Sequence, residues 1–325
     1  MTKRKYKRKE STWSKIKNWT ISLLLAVVMF FGLQGNSASS LKFAQISDVH
    51  FSTGTVNTTY KLTGESSKLF TDAIKQINEI PDINFIMFTG DQIDKSFERE
   101  LTAFLEYAEN LIHPWYIVFG NHDTCIGGFL TPEVYLKRVK EHNPNFDFIT
   151  PYYSFTPQKG YKVIVLDTII RDKLTANGYL DGEQIQWLDA EIKKSPKDIV
   201  LIFMHVPIIE PFNSPNHKLL NADAVEAVLN KYRNPIAVFQ GHYHSSKITQ
   251  KDNILYVSTP ALVSYPNAFR IITVTNFRNR AVFDIQTSNT RLTNLQKLAK
   301  IMVFGSAIYS GEEKDRNGIY VIKKK

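Results

Sequence analysis

From residue 41 onward, short apolar runs alternate with stretches whose apolar residues recur at helical spacing. Runs at 41–47, 84–89, 115–119, 199–204 and 236–240 are mostly apolar, as buried strands are. Between them, Leu69, Phe70, Ala73, Ile74 and Ile77 mark a helix over 66–80 that Pro81 stops. Leu101, Phe104, Leu105, Ala108 and Leu111 mark a second over 97–112, ended by Pro114. Further helices are expected at 132–142, 181–195 and 222–232, and strands at 152–155 and 162–167 joined through Lys159-Gly160. Strand–helix alternation of this kind predicts an α/β fold with a parallel layer. From Lys247 the pattern changes to strands in series, at 247–249, 255–259, 269–275 and 281–286, which predicts a second sheet or a second half of one. A helix over 292–302 and a hairpin through Asn317-Gly318 are expected to follow. No linker interrupts residues 41–290, so they read as one domain, with 291–325 as a C-terminal extension packing on it.

Five of the apolar runs end on chemistry. Residues 41–47 lead into Asp48-Val49-His50, and 84–89 into Gly90-Asp91-Gln92-Ile93-Asp94. Residues 115–119 lead into Gly120-Asn121-His122-Asp123, 199–204 into His205, and 236–240 into Gly241-His242-Tyr243-His244. Ligands of open α/β sheets bind beyond the carboxyl ends of the strands. Five such ends carrying Asp, Asn and His therefore predict one shared site. Of the eight histidines, His50, His122, His205, His242 and His244 sit at strand ends, whereas His113, His142 and His217 read as surface residues.

Charge bears on location rather than on the site. Residues 1–19 hold eight of the 40 Lys and Arg and one of the 31 Asp and Glu, so the other 306 residues carry 32 against 30. A nearly neutral body offers no dedicated nucleic-acid surface. The basic block precedes an apolar stretch at 19–33 and then small and polar residues at 34–40, the order of a secretory signal peptide or a signal anchor. Residues 1–40 thus predict export, with the protein either secreted after cleavage or held to the membrane by an N-terminal transmembrane helix. The single cysteine, Cys125, permits no intrachain disulfide and reads as a buried, inert thiol.

Imidazole, carboxylate and amide oxygen without sulfur suit Mn, Fe, Zn or Co. Asp48, His50, Asp91, Asn121, His205, His242 and His244 make seven ligands, too many for one tetrahedral ion. Two divalent or trivalent ions sharing a carboxylate fit them better, and two such ions lower the pKa of a shared water from ~15.7 towards ~7, which supplies hydroxide for attack on phosphorus.

Taken together, these motifs resemble the calcineurin-like metallophosphoesterases over residues 41–245. Gly182-Glu183-Gln184-x-x-Trp187-Leu188 is similar to a helix segment common in that family. The resemblance implies a four-layer α/β/β/α sandwich with two mixed sheets and a dinuclear metal site at the strand ends. It implies that Asp48, His50 and His244 hold one metal, that Asn121, His205 and His242 hold the other, and that Asp91 bridges. His122 would be the proton donor, oriented by the Asp94 carboxylate, with Asp123 a turn carboxylate or a partner of a ligand histidine. Asp94 stands where purple acid phosphatases have Tyr, and Lys95 where protein phosphatases have Arg. The layout is closer to class III cyclic nucleotide phosphodiesterases, with His205-Val206-Pro207 in place of a two-proline segment. The expected substrate is a small phosphate mono- or diester. A non-catalytic metal- or partner-binding module, a cyclic nucleotide phosphodiesterase in particular, and a nuclease remain as alternatives.

Overall fold

Side-chain alternation along one strand shows how the layers stack. In the computed structural model, which describes residues 38–324, strand β2 is Phe85–Thr89 and is buried throughout. Phe85 meets Phe203 of strand β6 (Ile199–Phe203), with ring centroids 6.0 Å apart. Phe88, on the opposite face, meets Phe70 at 5.7 Å and Phe104 at 5.3 Å. Those two rings belong to helices α1 (Ser66–Asn78) and α2 (Glu98–Ala108). A strand with a sheet on one side and helices on the other lies in the middle of a layered sandwich, which is why it has no polar face.

The first sheet runs β3-β2-β1-β10-β11-β12, from β1 (Ser39–Ile46), β3 (Trp115–Val118), β10 (Ala268–Asn276), β11 (Arg280–Asn289) and β12 (Gly318–Lys323). The second runs β4-β5-β6-β7-β9-β8, from β4 (Tyr153–Gln158), β5 (Tyr161–Val165), β7 (Ile236–Gln240), β8 (Lys247–Lys251) and β9 (Ile254–Ser258). Both are mixed. β1, β2 and β3 are parallel, as are β5, β6, β7 and β9, and the remaining pairings are antiparallel. Phe43 of β1 crosses to Phe203 at 5.5 Å and Phe239 at 5.1 Å, closing the aromatic seam between the sheets. Helix α5 (Gly182–Lys193) and helix α6 (Ala222–Leu229) are joined through Tyr232, whose hydroxyl donates to the Asp189 carbonyl at 2.7 Å. The short α3 (Asn121–Thr124) and α4 (Pro132–His142) follow β3.

Two expectations change. The strands after Lys247 do not form one sheet: β8 and β9 extend the second, whereas β10 and β11 extend the first. β8 is partly exposed and β10 alternates towards its end, whereas β9 is buried throughout; nothing local in these strands names a sheet, and only tertiary packing chooses. Asn317-Gly318 forms no hairpin. Asn317 ends helix α9 (Glu313–Arg316), and β12 pairs with β11 as the edge strand of the first sheet. The segment after residue 290 is thus woven into the fold through α7 (Thr293–Met302), α8 (Ser306–Ser310), α9 and β12. Buried Arg270 helps to hold it, donating to the carbonyls of Asp315 at 2.7 Å and Arg316 at 3.0 Å. The signal or anchor expected at 1–40 lies almost wholly outside the described residues. Among the described residues, no helix is long and apolar enough to cross a membrane.

Candidate metal centre

Buried Gln45 draws the two sheets together beneath the site. Its amide donates to Thr89 Oγ1 at 3.1 Å and to the Gln240 carbonyl at 3.3 Å, and its Oε1 accepts from Thr259 Oγ1 at 2.7 Å. The ends of β1, β2 and β3 therefore face those of β6 and β7. At these ends the backbone turns through the left-handed region at Asp48 (φ 52°), His50 (φ 40°), Asp91 (φ 51°), His242 (φ 71°) and His244 (φ 54°). Each such turn costs about 1–2 kcal/mol for a residue with a Cβ. Strain of this kind concentrates at functional sites. In Asp48-Val49-His50 and His242-Tyr243-His244 it swings both outer side chains into the site. Two glycines make room. Gly90 has φ +92°, and a Cβ there would overlap the His205 ring; a Cβ on Gly120 would overlap the backbone nitrogen and Oδ1 of Asp91.

The structure gathers Asp48, His50 and His244 in one group and Asp91, His205 and His242 in another, each with ligand atoms within 4.8 Å of one another. His50 and His122 form a third such group with Asp91. His50 Nε2 lies 3.4 Å from Asp91 Oδ2 and 3.4 Å from His244 Nε2, which is itself 3.3 Å from Asp48 Oδ1. Across Asp91, the same Oδ2 is 3.5 Å from His205 Nε2, which faces His242 Nδ1 at 3.1 Å. Asp48 Oδ1 and Asn121 Oδ1 are buried without a hydrogen-bond partner. Orphaned buried acceptors and imidazole nitrogens turned towards one another are costly alone and satisfied by a shared cation. The donor set thus fits divalent metal: Asp48, His50, Asp91, His205, His242 and His244 come together in these groups, and Asn121 stands next to His122 in the chain.

Outer partners hold the ligand rings. His205 Nδ1–H donates to the Thr89 carbonyl at 2.8 Å, and His244 Nδ1 pairs with Ser264 Oγ at 2.9 Å. His50 Nδ1 lies 3.2 Å from Asp94 Oδ1. Each partner leaves the other ring nitrogen free to coordinate. Burial, together with the Lys61 ammonium, holds His50 down at about 3, so it is neutral. At His205 burial opposes the charged form, but Asp91 and Asp48 outweigh it and raise the ring to about 9. Burial likewise works against ionisation of Asp48, yet His244 beside it keeps the carboxyl at about 2. A cation bound among these side chains would compete with the proton that Asp91 and Asp48 favour on His205.

Asp94 departs from its expected role. Its carboxylate turns away from His122 to Lys61 Nζ at 2.9 Å and to His50. His122 is held instead by the Asp94 backbone carbonyl, to which Nδ1–H donates at 2.6 Å. The His122 backbone N–H donates to Asp91 Oδ1 at 2.9 Å, and its ring stands edge-on to His50 at 4.5 Å. Asp123 contacts no ligand histidine. Its carboxylate accepts from Gly120 N at 2.7 Å and Ile93 N at 3.2 Å, and burial with Asp91 nearby pushes it up to about 8. Cys125 is half-buried rather than buried, with its thiol against the Lys173 carbonyl.

Sequence reasoning missed Lys61 and His217. Lys61 lies in a polar loop, yet is only 6% exposed. His217 is half-buried rather than a plain surface residue, and its ring lies 5.2 Å from that of His242. Neither carries a local signal, because each is placed by a loop folding over the strand ends. The Gly182-Glu183-Gln184 helix start, by contrast, has a visible use. Gln184 accepts from Asp167 N at 2.7 Å and donates to the Asp167 carbonyl at 2.9 Å, fixing the chain just past β5.

Comparison with known proteins agrees with this geometry. The chain is 26% identical over 231 residues to a 3',5'-cyclic-nucleotide phosphodiesterase of Nostoc sp., covering 70% of this chain and 80% of that one. It is 28% identical over 201 residues to a probable glycerophosphodiester phosphodiesterase of Arcobacter nitrofigilis, covering 60% and 70%. A dimetal phosphatase from Danio rerio shares the fold, with a TM-score of 0.62 at 18% identity, covering 77% of this chain and 99% of that one. A family model described as calcineurin-like phosphoesterase matches residues 41–246. That span runs from the first strand past the last histidine of the centre, and the chain belongs to the calcineurin-like phosphoesterase family of phosphoric ester hydrolases.

Proposed function

We propose that the chain hydrolyses small phosphodiesters at a centre of two metal ions, with His122 as proton donor to the leaving alkoxide. The observation that carries this reading is the position of Asp91. A single carboxylate oxygen lies 3.4 Å from His50 and 3.5 Å from His205, and so faces two separate donor sets. Asp48, His50 and His244 would hold one ion, Asn121, His205 and His242 the other, and Asp91 both. Mn, Fe and Zn all suit the nitrogen and oxygen donors. Bound there, two cations would bring the pKa of a shared water from ~15.7 towards ~7 and neutralise the phosphoryl oxygens.

The remaining steps belong to the chain. His122 Nδ1 is committed to the Asp94 carbonyl, which leaves Nε2 to carry the proton that the departing oxygen needs. Burial lowers the His122 pKa, and Lys61 adds to that, whereas Asp91 opposes it. A lowered pKa makes the imidazolium the stronger acid, which gives up its proton readily once formed. Both named relatives above are phosphodiesterases, which favours diesters over monoesters. The basic, apolar, then small-residue order of residues 1–40 supports an exported or membrane-held enzyme, which fractionation of the full chain would check.

The test is a panel of phosphate mono- and diesters on the full chain after metal reconstitution. Turnover of diesters that chelation abolishes is expected. Metal uptake with no turnover of any ester would instead favour a non-catalytic binding module.

A further inference from the structure

Beside the metal centre lies a cleft of about 290 Å³ whose floor is His242 and His244. Its walls are aromatic and come from distant parts of the chain. Tyr60 belongs to the loop after β1, and its ring is 5.8 Å from that of His244. Phe212 belongs to the loop after β6 and Tyr243 to the last motif, and their rings stand 5.0 Å apart at 77°. The fourth wall is Tyr309 of α8, 6.3 Å from Phe212 and also at 77° to it. Tyr243 and Tyr309 thus both stand edge-on to Phe212.

Tyr309 does not belong to the matched family region, which ends at residue 246. It is nonetheless fixed to the site. Ser246 N donates to the Tyr309 carbonyl at 2.9 Å, and Ser245 Oγ donates to the Ile308 carbonyl at 2.6 Å. These serines directly follow the ligand His244. The C-terminal segment is therefore stitched to the residues next to the metal centre and lends the cleft a ring of its own.

We infer that this cleft takes a flat aromatic group on the substrate's alcohol, and that Tyr309 is the specificity-determining residue supplied by the C-terminal segment. The inference rests on the phosphodiester reading above and narrows it. Stacking on aromatic side chains contributes about 1–3 kcal/mol per ring in binding, and it tolerates any flat π system. The cleft volume of about 290 Å³ admits a ring system beside the metal centre. Glu210, whose carboxylate accepts from the Tyr243 hydroxyl at 3.2 Å and pairs with Lys218 Nζ at 3.3 Å, holds the Tyr243 wall in place. Ser214 Oγ, paired with His217 Nδ1 at 2.7 Å, presents polar atoms to the edge of such a ring.

Calorimetric titration of phenylphosphonate and of methylphosphonate into the Mn-loaded full chain reads the cleft without turnover. Wild type is expected to bind the phenyl compound about tenfold or more tightly than the methyl one. Tyr309→Ala should remove most of that preference by weakening the phenyl compound alone, and Tyr309→Phe should keep it. Phe212→Ala provides a second route to the same loss should the Tyr309→Ala chain not fold. Equal affinity of wild type for the two phosphonates, or equal weakening of both in Tyr309→Ala, would overturn the inference while leaving phosphodiester hydrolysis standing. A metal-loaded wild type that turns over no phosphodiester would overturn both readings together.

Discussion

His122 Nδ1 lies 2.6 Å from the backbone carbonyl oxygen of Asp94, while the Asp94 carboxylate faces the other way, towards His50 and Lys61. One residue thus orients the expected proton donor through its main chain and a metal ligand through its side chain. Asp94→Asn keeps the carbonyl and weakens the carboxylate. It should lower metal affinity by about 10–100-fold, the usual effect of losing an outer partner of a ligand histidine. The pH–rate profile of the metal-saturated variant should keep its shape. A shifted limb at full metal occupancy would return Asp94 to the role of tuning His122 through its carboxylate.

Asn121 and His122 are neighbours with separable roles. Asn121→Ala removes an orphaned buried acceptor and should lower the bound metal by about one ion per chain. His122→Ala should retain both ions and lose about 10²–10⁴-fold in kcat, the range for general acid–base groups. Metal analysis alongside turnover of a diester with a poor leaving group separates the two. An unchanged rate in His122→Ala would show that the leaving alkoxide gets its proton elsewhere.

Acid should loosen the fold at a place remote from the centre. Glu191 accepts from Lys194 Nζ and Ser154 Oγ, both at 2.6 Å, and pairs with Lys162 at 2.9 Å. Burial alone would raise its pKa, but these partners outweigh it and depress the value from 4.5 to about 2. A carboxyl depressed on folding stabilises above its unfolded pKa and loses that contribution as pH falls towards the folded value. Glu191→Gln should therefore cost about 1–3 kcal/mol at pH 7. The difference from wild type should shrink from pH 4.5 downward and vanish near pH 2, as read by denaturant titration.

Arg270 is fully buried, and its guanidinium donates to the carbonyls of Ser258, Asp315 and Arg316 and to Thr287 Oγ1. It joins both sheets to the C-terminal segment. Arg270→Met would leave those acceptors unpaired and should destabilise the chain by about 2–4 kcal/mol. Proteolysis should then cut first after residue 290, since the segment that Arg270 anchors also carries Tyr309. Unaltered protease resistance of that segment would mean that β12 pairing alone secures it.

Elements governed by local periodicity were legible before folding. The apolar spacing of Leu69, Phe70, Ala73, Ile74 and Ile77 marks α1, and the polar ends of β1, β2, β3, β6 and β7 mark where the candidate metal ligands stand. Both signals are local. A helix must turn an apolar stripe inward, and a buried strand can change to polar chemistry only where it leaves the core. Which sheet receives β8 to β11 was not legible, since nothing local in a strand names the neighbour it pairs with. Nor was the direction of the Asp94 carboxylate, the burial of Lys61, or the approach of Tyr309 to His244. Each of these depends on loops and a tail brought alongside one another by the closing of two sheets, and contacts between residues that distant in the chain leave no spacing to read.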